Sequence, residues 1–354
     1  MAQADAIGGS DRTGAGDAAA PAGANARIGL EQAAEVARKL QARLRATVCG
    51  RDDVIDLVLI ALLADGHILL EDYPGSGKTT LAKTLGTSII DDIPDDDIPS
   101  FRRIQFTPDL LPSDVTGVVV FDTESNAFRF VRGPVFAYVV LANEINRTSP
   151  KVQSALLEAM GEKQVTVDNR TYPLDELFFV IATQNPLDLA GTYPLPVAQL
   201  DRFLFKVRME HISREAELEV IGSYPTQRPD LAAHLPRVSR TDVVQARHAA
   251  QHQVALAQSV KESLVDIARA LRADPRVVQG ASTRALVLWM PALQARALLR
   301  GRDHVTAEDV AALAPFIFGH RIEVVPGVED PLAVVTECAA GPVETLARSI
   351  LRRG

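Results

Sequence analysis

Cysteine is almost missing from this chain: Cys49 and Cys338 are the only two in 354 residues, and they stand far apart. Neither has a neighbour at the spacing of a metal-ligand pair, so both read as plain thiols in a reducing compartment. His304 and His320 also lack paired ligands, and no metal is expected on them. Nowhere does an uninterrupted apolar run approach the roughly 18 residues that a bilayer span requires. The opening "MAQADAIGGSDRTG" carries acids and glycines where a secretory leader has basic and then apolar residues. These absences place the protein in the cytoplasm as an expectation, with no membrane span. Basic charge is not in excess either: the net charge is −8. The totals therefore show no nucleic-acid footprint, and nucleic acid is not the expected partner.

What is present suffices for a folded core, since 47% of the residues are hydrophobic. The length suggests about two domains. Residues 1–27 are rich in Ala, Gly and Asp, lack aromatics and show no apolar period, which reads as a disordered tail. Residues 28–209 then read as an α/β unit. "IGLEQAAEVARKLQARLRATV" and "CGRDDVIDLVLIALLADG" have helical spacing, and "HILLE", "RIQF", "AYVVLA" and "LFFVIAT" read as strands. Strands alternating with helices imply a mainly parallel sheet flanked by helices. From 210 to 354 only helical patterns are apparent, among them "SVKESLVDIARALRA" and "TRALVLWMPALQARALLRG", so a second, all-helical domain is expected. Trp289 and its apolar neighbours read as core. In "DHVTAEDVAA", Thr306 reads as a helix cap with Asp309 at the third helical position.

The strongest local signal is "HILLEDYPGSGKTTLAK". A strand, a glycine turn and a helix start form a phosphate loop, whose backbone N–H groups and helix end surround an anion. Gly75 and Gly77 supply turn freedom, Ser76 lies between them, Lys78 supplies the cation, and Thr79 a hydroxyl for a metal, with Thr80 next. The usual first glycine of the pattern is replaced by Asp72. No Asn-Lys-x-Asp guanine-reading motif occurs, which favours ATP over GTP.

The second signal carries a substitution. "VVLANEINR" runs a buried strand into Asn143-Glu144, where phosphate-loop enzymes place one acid to help hold Mg²⁺ and a glutamate to polarise water. Glu144 keeps the second role, while Asn143 offers an amide oxygen in place of a carboxylate. A unit charge 4 Å from another is worth about 4 kcal/mol at an effective dielectric near 20, an upper bound here. Mg²⁺ leans on substrate phosphates and retained waters, so the amide is expected to weaken metal positioning through water without abolishing it.

The run from Pro112 to Phe203 resembles the MoxR family of AAA+ ATPases. It includes "SDVTG", "FAYVVLANEINRTSPKVQSALLEAMGEKQVTV", "FFVIATQNP" and "TYPLPVAQLDRF". The likeness extends from about residue 30 to the C-terminus. It implies an AAA+ P-loop core with a parallel sheet, a small helical lid, and ATP/ADP with Mg²⁺. It also implies a homo-oligomeric, usually hexameric ring that remodels, matures or activates a protein partner. A partner with a von Willebrand factor A domain is the family's frequent one. By the same resemblance the phosphates fall at Gly75, Gly77, Lys78 and Thr79, and the metal at Thr79 and Asn143. Glu144 falls at the water-activating position, Asn185 at the sensor asparagine, Arg202 at the arginine presented to a neighbour's ATP, and Arg284 at the lid's second sensor. Arg147 is a rival for the arginine finger. "GVVVFDTESNAFRF" and "QVTVDNRTYPL" match the family's hairpins, the second turning at Asp168-Asn169. Two other classes of function stay open. One is a nucleotide-binding switch or scaffold with little hydrolysis, which Asn143 suggests; the other is a chelatase-type or nucleic-acid ring motor.

Overall fold

The computed structural model describes residues 28–71, 75–93, 97–186, 191–223 and 232–351. The N-terminal tail and Asp72 lie outside the described residues.

Two helices, α1 (Leu30–Thr47) and α2 (Asp52–Leu63), lead into the sheet. There follow β1 (Ile68–Glu71), α3 (Lys78–Thr87), the short β2 (Ile89–Ile90) and β3 (Phe101–Gln105). Next come α4 (Pro112–Thr116), β4 (Gly117–Asp122), β5 (Ala127–Arg132), β6 (Val139–Asn143) and α5 (Pro150–Glu162). The core closes with β7 (Gln164–Val167), β8 (Arg170–Pro173), β9 (Phe179–Gln184), α6 (Val197–Leu200) and β10 (Phe205–Arg208). Five strands form one parallel sheet in the order β10-β1-β9-β6-β3. "VVLA" and "FVIA" in β6 and β9 are buried throughout, as interior strands covered on both faces must be. β3 is one of the two edge strands, and Arg102 and Arg103 on it are exposed, which keeps that edge from pairing further.

Because the strands are parallel, their carboxyl ends share one rim of the sheet. Glu71, Gln105, Asn143 and Gln184 all end strands there. The opposite rim carries the strand starts, where Leu204 N donates to His67 O at 2.7 Å just ahead of β10 and β1. Ligands of such sheets lie at the carboxyl rim.

Two antiparallel hairpins project from this core, β4 with β5 and β7 with β8. Asp168 and Asn169 turn the second with φ of 49° and 60°, the pair of left-handed residues that a tight hairpin turn demands. The hairpins touch through Phe130 and Tyr172, whose rings stack at 3.9 Å.

Beyond α7 (Arg214–Gly222), the short β11 (Val238–Ser239) pairs with β2, and α8 (Arg240–Gln253) packs along α1. The helices α9 (Gln258–Ala273), α10 (Thr283–Leu299), α11 (Ala307–Phe318) and α12 (Pro331–Leu351) build the lid. Trp289 is fully buried there, edge-on to Phe318 at 4.8 Å. Thr306 and Asp309 form the expected cap, the Thr306 N–H donating to Asp309 Oδ2 at 2.8 Å. Asp309 is fully buried and also receives Arg296 and Arg302, so its charge is compensated twice. Two details depart from the sequence reading: β11 lies in the stretch read as all-helical, and the lid contains a two-stranded ribbon, β12 (Val277–Gln279) with β13 (Glu323–Val324). Strands of two and three residues are too short to show an alternating pattern.

Candidate active site

The loop after β1 is shaped by its glycines. Gly75 and Gly77 have φ of 93° and 92°, and a Cβ built on either would meet no atom within 4 Å. Left-handed backbone explains the glycines; the open space marks the hollow that they line. Gly77 caps α3 without any side-chain acceptor, so the first N–H groups of that helix face the hollow. Ser76 Oγ is buried without a partner among the described residues. Lys78 opens α3 and exposed Thr79 follows it on the first turn. Open space lined by left-handed glycines, at the positive end of a helix, fits an oxyanion such as a phosphate.

Asn143 and Glu144 lie across the same rim, at the end of β6. Asn143 is 9% exposed and both ends of its amide are used. Its Nδ2 donates to Gln105 Oε1 at 2.8 Å, and its Oδ1 accepts from Thr183 Oγ1 at 3.0 Å. Glu144 has φ of 59°, a left-handed backbone that a non-glycine residue holds only under local constraint. The constraint is visible: Glu144 N donates to Thr183 Oγ1 at 2.9 Å, and Glu144 Oε2 accepts from Gln105 Nε2 at 2.9 Å. The side chains of Gln105, Asn143 and Thr183, with the carboxylate and the backbone N–H of Glu144, thus close a polar ring. Arg103 Nη2 adds a bond to Gln105 Oε1 at 2.7 Å. Gln105 and Thr183 were not singled out from the sequence. Their one signal is that each is a polar residue at the carboxyl end of a strand.

Arg147 lies 3.1 Å from Glu144 Oε2 of its own chain. It is therefore part of the Glu144 surroundings. Asn185 follows β9 at the same rim, its carbonyl accepting from Asn146 Nδ2 at 3.3 Å. The phosphate loop, Asn143, Glu144 and Asn185 thus share one end of the sheet.

Arg202 and Arg284 do not join them. Arg202 follows α6 in the turn ahead of β10, at the opposite rim. Its Nη1 occupies the place where a Cβ on Gly161 would stand, 1.7 Å from that position, near the far end of α5. Arg284 of the lid lies 3.6 Å from Asp201, beside the same turn. Strands of four to six residues at about 3.3 Å each put roughly 13–20 Å between the rims, beyond the reach of an arginine side chain.

With this geometry in view, the comparisons with known proteins are decisive. Residues 67–205 match the family model "ATPase family associated with various cellular activities (AAA)", and residues 269–337 match "AAA lid domain". Chaperone MoxR1 of Mycobacterium tuberculosis is 37% identical over 291 residues, 78% of this chain and 72% of that protein. The chain belongs to the MoxR family of AAA+ ATPases. Another relative, the Bacillus subtilis protein YeaC, of uncharacterised function, is 45% identical over 86% of this chain and 93% of its own. A Cytophaga hutchinsonii crystal structure assigned as an ATPase superposes with a TM-score of 0.77 at 35% identity. That match covers 87% of this chain and 95% of the other. The MoxR assignment agrees with the parallel sheet and with the helical lid that follows it. Among the described residues no helix is long and apolar enough to cross a membrane.

Proposed function

We propose that this MoxR-family chain hydrolyses ATP within a homo-oligomeric ring, hexameric by family resemblance, and uses the cycle to remodel or activate a protein partner. The observation that carries the reading is the division of the machinery between two rims. Phosphate loop, Asn143, Glu144 and Asn185 stand at the carboxyl rim, while Arg202 and Arg284 stand at the other. Neither arginine reaches the phosphate loop of its own chain, which supports the reading that both serve a nucleotide held by a neighbour. Among the described residues no carboxylate pairs with Arg202, which leaves its charge available.

The roles follow from the chemistry of each group. Backbone N–H groups at Gly75, Ser76 and Gly77, with Lys78, bind the phosphates. Thr79 directly and Asn143 through a water would hold Mg²⁺, which when bound draws charge from the β- and γ-phosphates. The Asn143 oxygen has one lone pair engaged by Thr183 and a second for that water. Glu144, held by Gln105 and Thr183, takes a proton from the attacking water, and Asn185 orients that water. Arg202 and Arg284 of the neighbouring subunit spread over the phosphate oxygens as charge builds, in the forked geometry that a lysine lacks.

The protein partner finds support in the first hairpin. Phe121 and Phe128 pack edge-to-face at 5.1 Å yet are 50% and 72% exposed, an aromatic rung beyond the part of the hairpin that Tyr172 covers. Exposed aromatics of this kind suit contact with another protein. A von Willebrand factor A domain is the partner class that the family resemblance favours, and the cytoplasm the compartment. A switch with little turnover is the second reading, because Asn143 stands where an acid is usual and both ends of its amide are already engaged by Gln105 and Thr183. Phosphate release measured across protein concentration tests the two readings. The motor reading expects turnover per subunit to rise with assembly and to fall when Arg202 becomes alanine. The switch reading expects tight ATP binding with no release at any concentration.

A further inference from the structure

The turn that carries Arg202 is gripped from the lid. Arg321, 5% exposed, follows α11 and bonds to the turn at several points. Its Nε donates to Asp201 Oδ1 at 2.7 Å, Nη2 to Phe203 O at 2.6 Å, and Nη1 to Leu204 O at 3.1 Å. His320 Nε2 also lies 3.1 Å from Phe203 O, as the imidazole donor to that carbonyl. A buried guanidinium that meets one carboxylate and successive carbonyls of a single turn fixes that turn in direction as well as in place. Asp201 has a second partner: its Oδ2 lies 3.6 Å from Nε of Arg284, which is 57% exposed. Asp201 therefore stands between a buried, multiply bonded arginine and an exposed one, and it is joined by the chain to Arg202.

We propose that Asp201 and Arg321 are positioning residues that lock lid and turn into one body and present Arg202 and Arg284 as a pair to the neighbouring subunit's nucleotide. This rests on the reading of Arg202 as a residue that acts across subunits. The two arginines come from separate parts of the chain, and without a shared anchor their spacing would drift with every motion of the lid. Arg321 supplies the anchor and Asp201 divides its two carboxylate oxygens between anchor and lid sensor. Lysine at 321 would keep the charge but lose the fork. Asparagine at 201 would keep the shape and lose the charge that holds Arg284.

The test is a double-mutant cycle on phosphate release by the full chain, with KM for ATP measured alongside. The variants are Arg202→Ala, Arg284→Ala, Arg321→Lys, Asp201→Asn, and the pairs Arg321→Lys with Arg202→Ala and Asp201→Asn with Arg284→Ala. The proposal expects Arg321→Lys and Asp201→Asn each to lower turnover at least tenfold at an unchanged KM, Arg321→Lys with Arg202→Ala to match Arg202→Ala alone, and Asp201→Asn with Arg284→Ala to match Arg284→Ala alone. Additive losses, or native turnover in Asp201→Asn, would overturn it; if Arg321→Lys fails to fold, Asp201→Asn decides. Native turnover in Arg202→Ala would instead refute the cross-subunit reading and the proposal with it, so the two failures are told apart.

Discussion

Asn143 donates its amide N–H to Gln105 Oε1 at 2.8 Å, and this bond fixes which way the Gln105 amide faces. With its oxygen turned to Asn143 and Arg103, Gln105 has only its NH₂ left for Glu144, which it reaches at 2.9 Å. The amide in place of the usual acid is thus built into the surroundings of Glu144.

Asn143→Asp should therefore cost stability when metal and nucleotide are absent. A carboxylate at 143 would face the Gln105 oxygen; turning that amide over would set the same oxygen against Glu144. Either way two acceptors meet at a site that is buried only on the Asn143 side, at a cost of about 1 kcal/mol. Denaturant unfolding of the metal-free protein measures it, and an unchanged or raised midpoint would contradict the ring of bonds described.

Gly161→Ala should separate stability from turnover. Gly161 has an ordinary helical backbone, so alanine fits the helix and contributes up to about 1 kcal/mol where the helix is not frayed. The new Cβ would nevertheless take the place of Arg202 Nη1. The variant should melt no lower than the native chain and release phosphate more slowly. A variant that melts as expected with native turnover would show that the seat of Arg202 is immaterial.

Acid should weaken the fold through buried histidine. His67 accepts from Val180 N through Nδ1 at 3.1 Å and meets Met160 O through Nε2 at 3.2 Å. Burial lowers its pKa to about 4 from 6.5. It is neutral in the fold and protonated in the unfolded chain between those values. Its share of stability is therefore complete above pH 6.5 and is lost as the pH falls towards 4, by about 1.4 kcal/mol per pH unit. His320, lowered by burial and by the neighbouring Arg321, adds to the same slope. His67→Gln should flatten the fall in unfolding free energy between pH 6.5 and 4; an unaltered slope would contradict the assignment.

The parts of this molecule legible in its sequence are those settled by near neighbours along the chain. The strand ends at Glu71 and Asn143, the left-handed turn at Asp168-Asn169 and the Thr306–Asp309 cap each depend on a few consecutive residues. The partners of the candidate site depend on contacts across the fold. Gln105 meets Glu144 across 39 positions, and Arg321 meets Asp201 across 120. No local period records such pairings. Asp201 stood in plain view within "QLDRF", but its role shows only when the lid arginines lie beside it.

The central claim is that Glu144 drives hydrolysis although Asn143 stands where an acid is usual. Steady-state phosphate release with ATP and Mg²⁺, in the native chain and in Glu144→Gln, tests it most directly. The account predicts turnover in the native chain and none in Glu144→Gln, with ATP binding kept in both. A silent native chain that Asn143→Asp brings to life would contradict it, and would make this protein one that holds ATP instead of spending it.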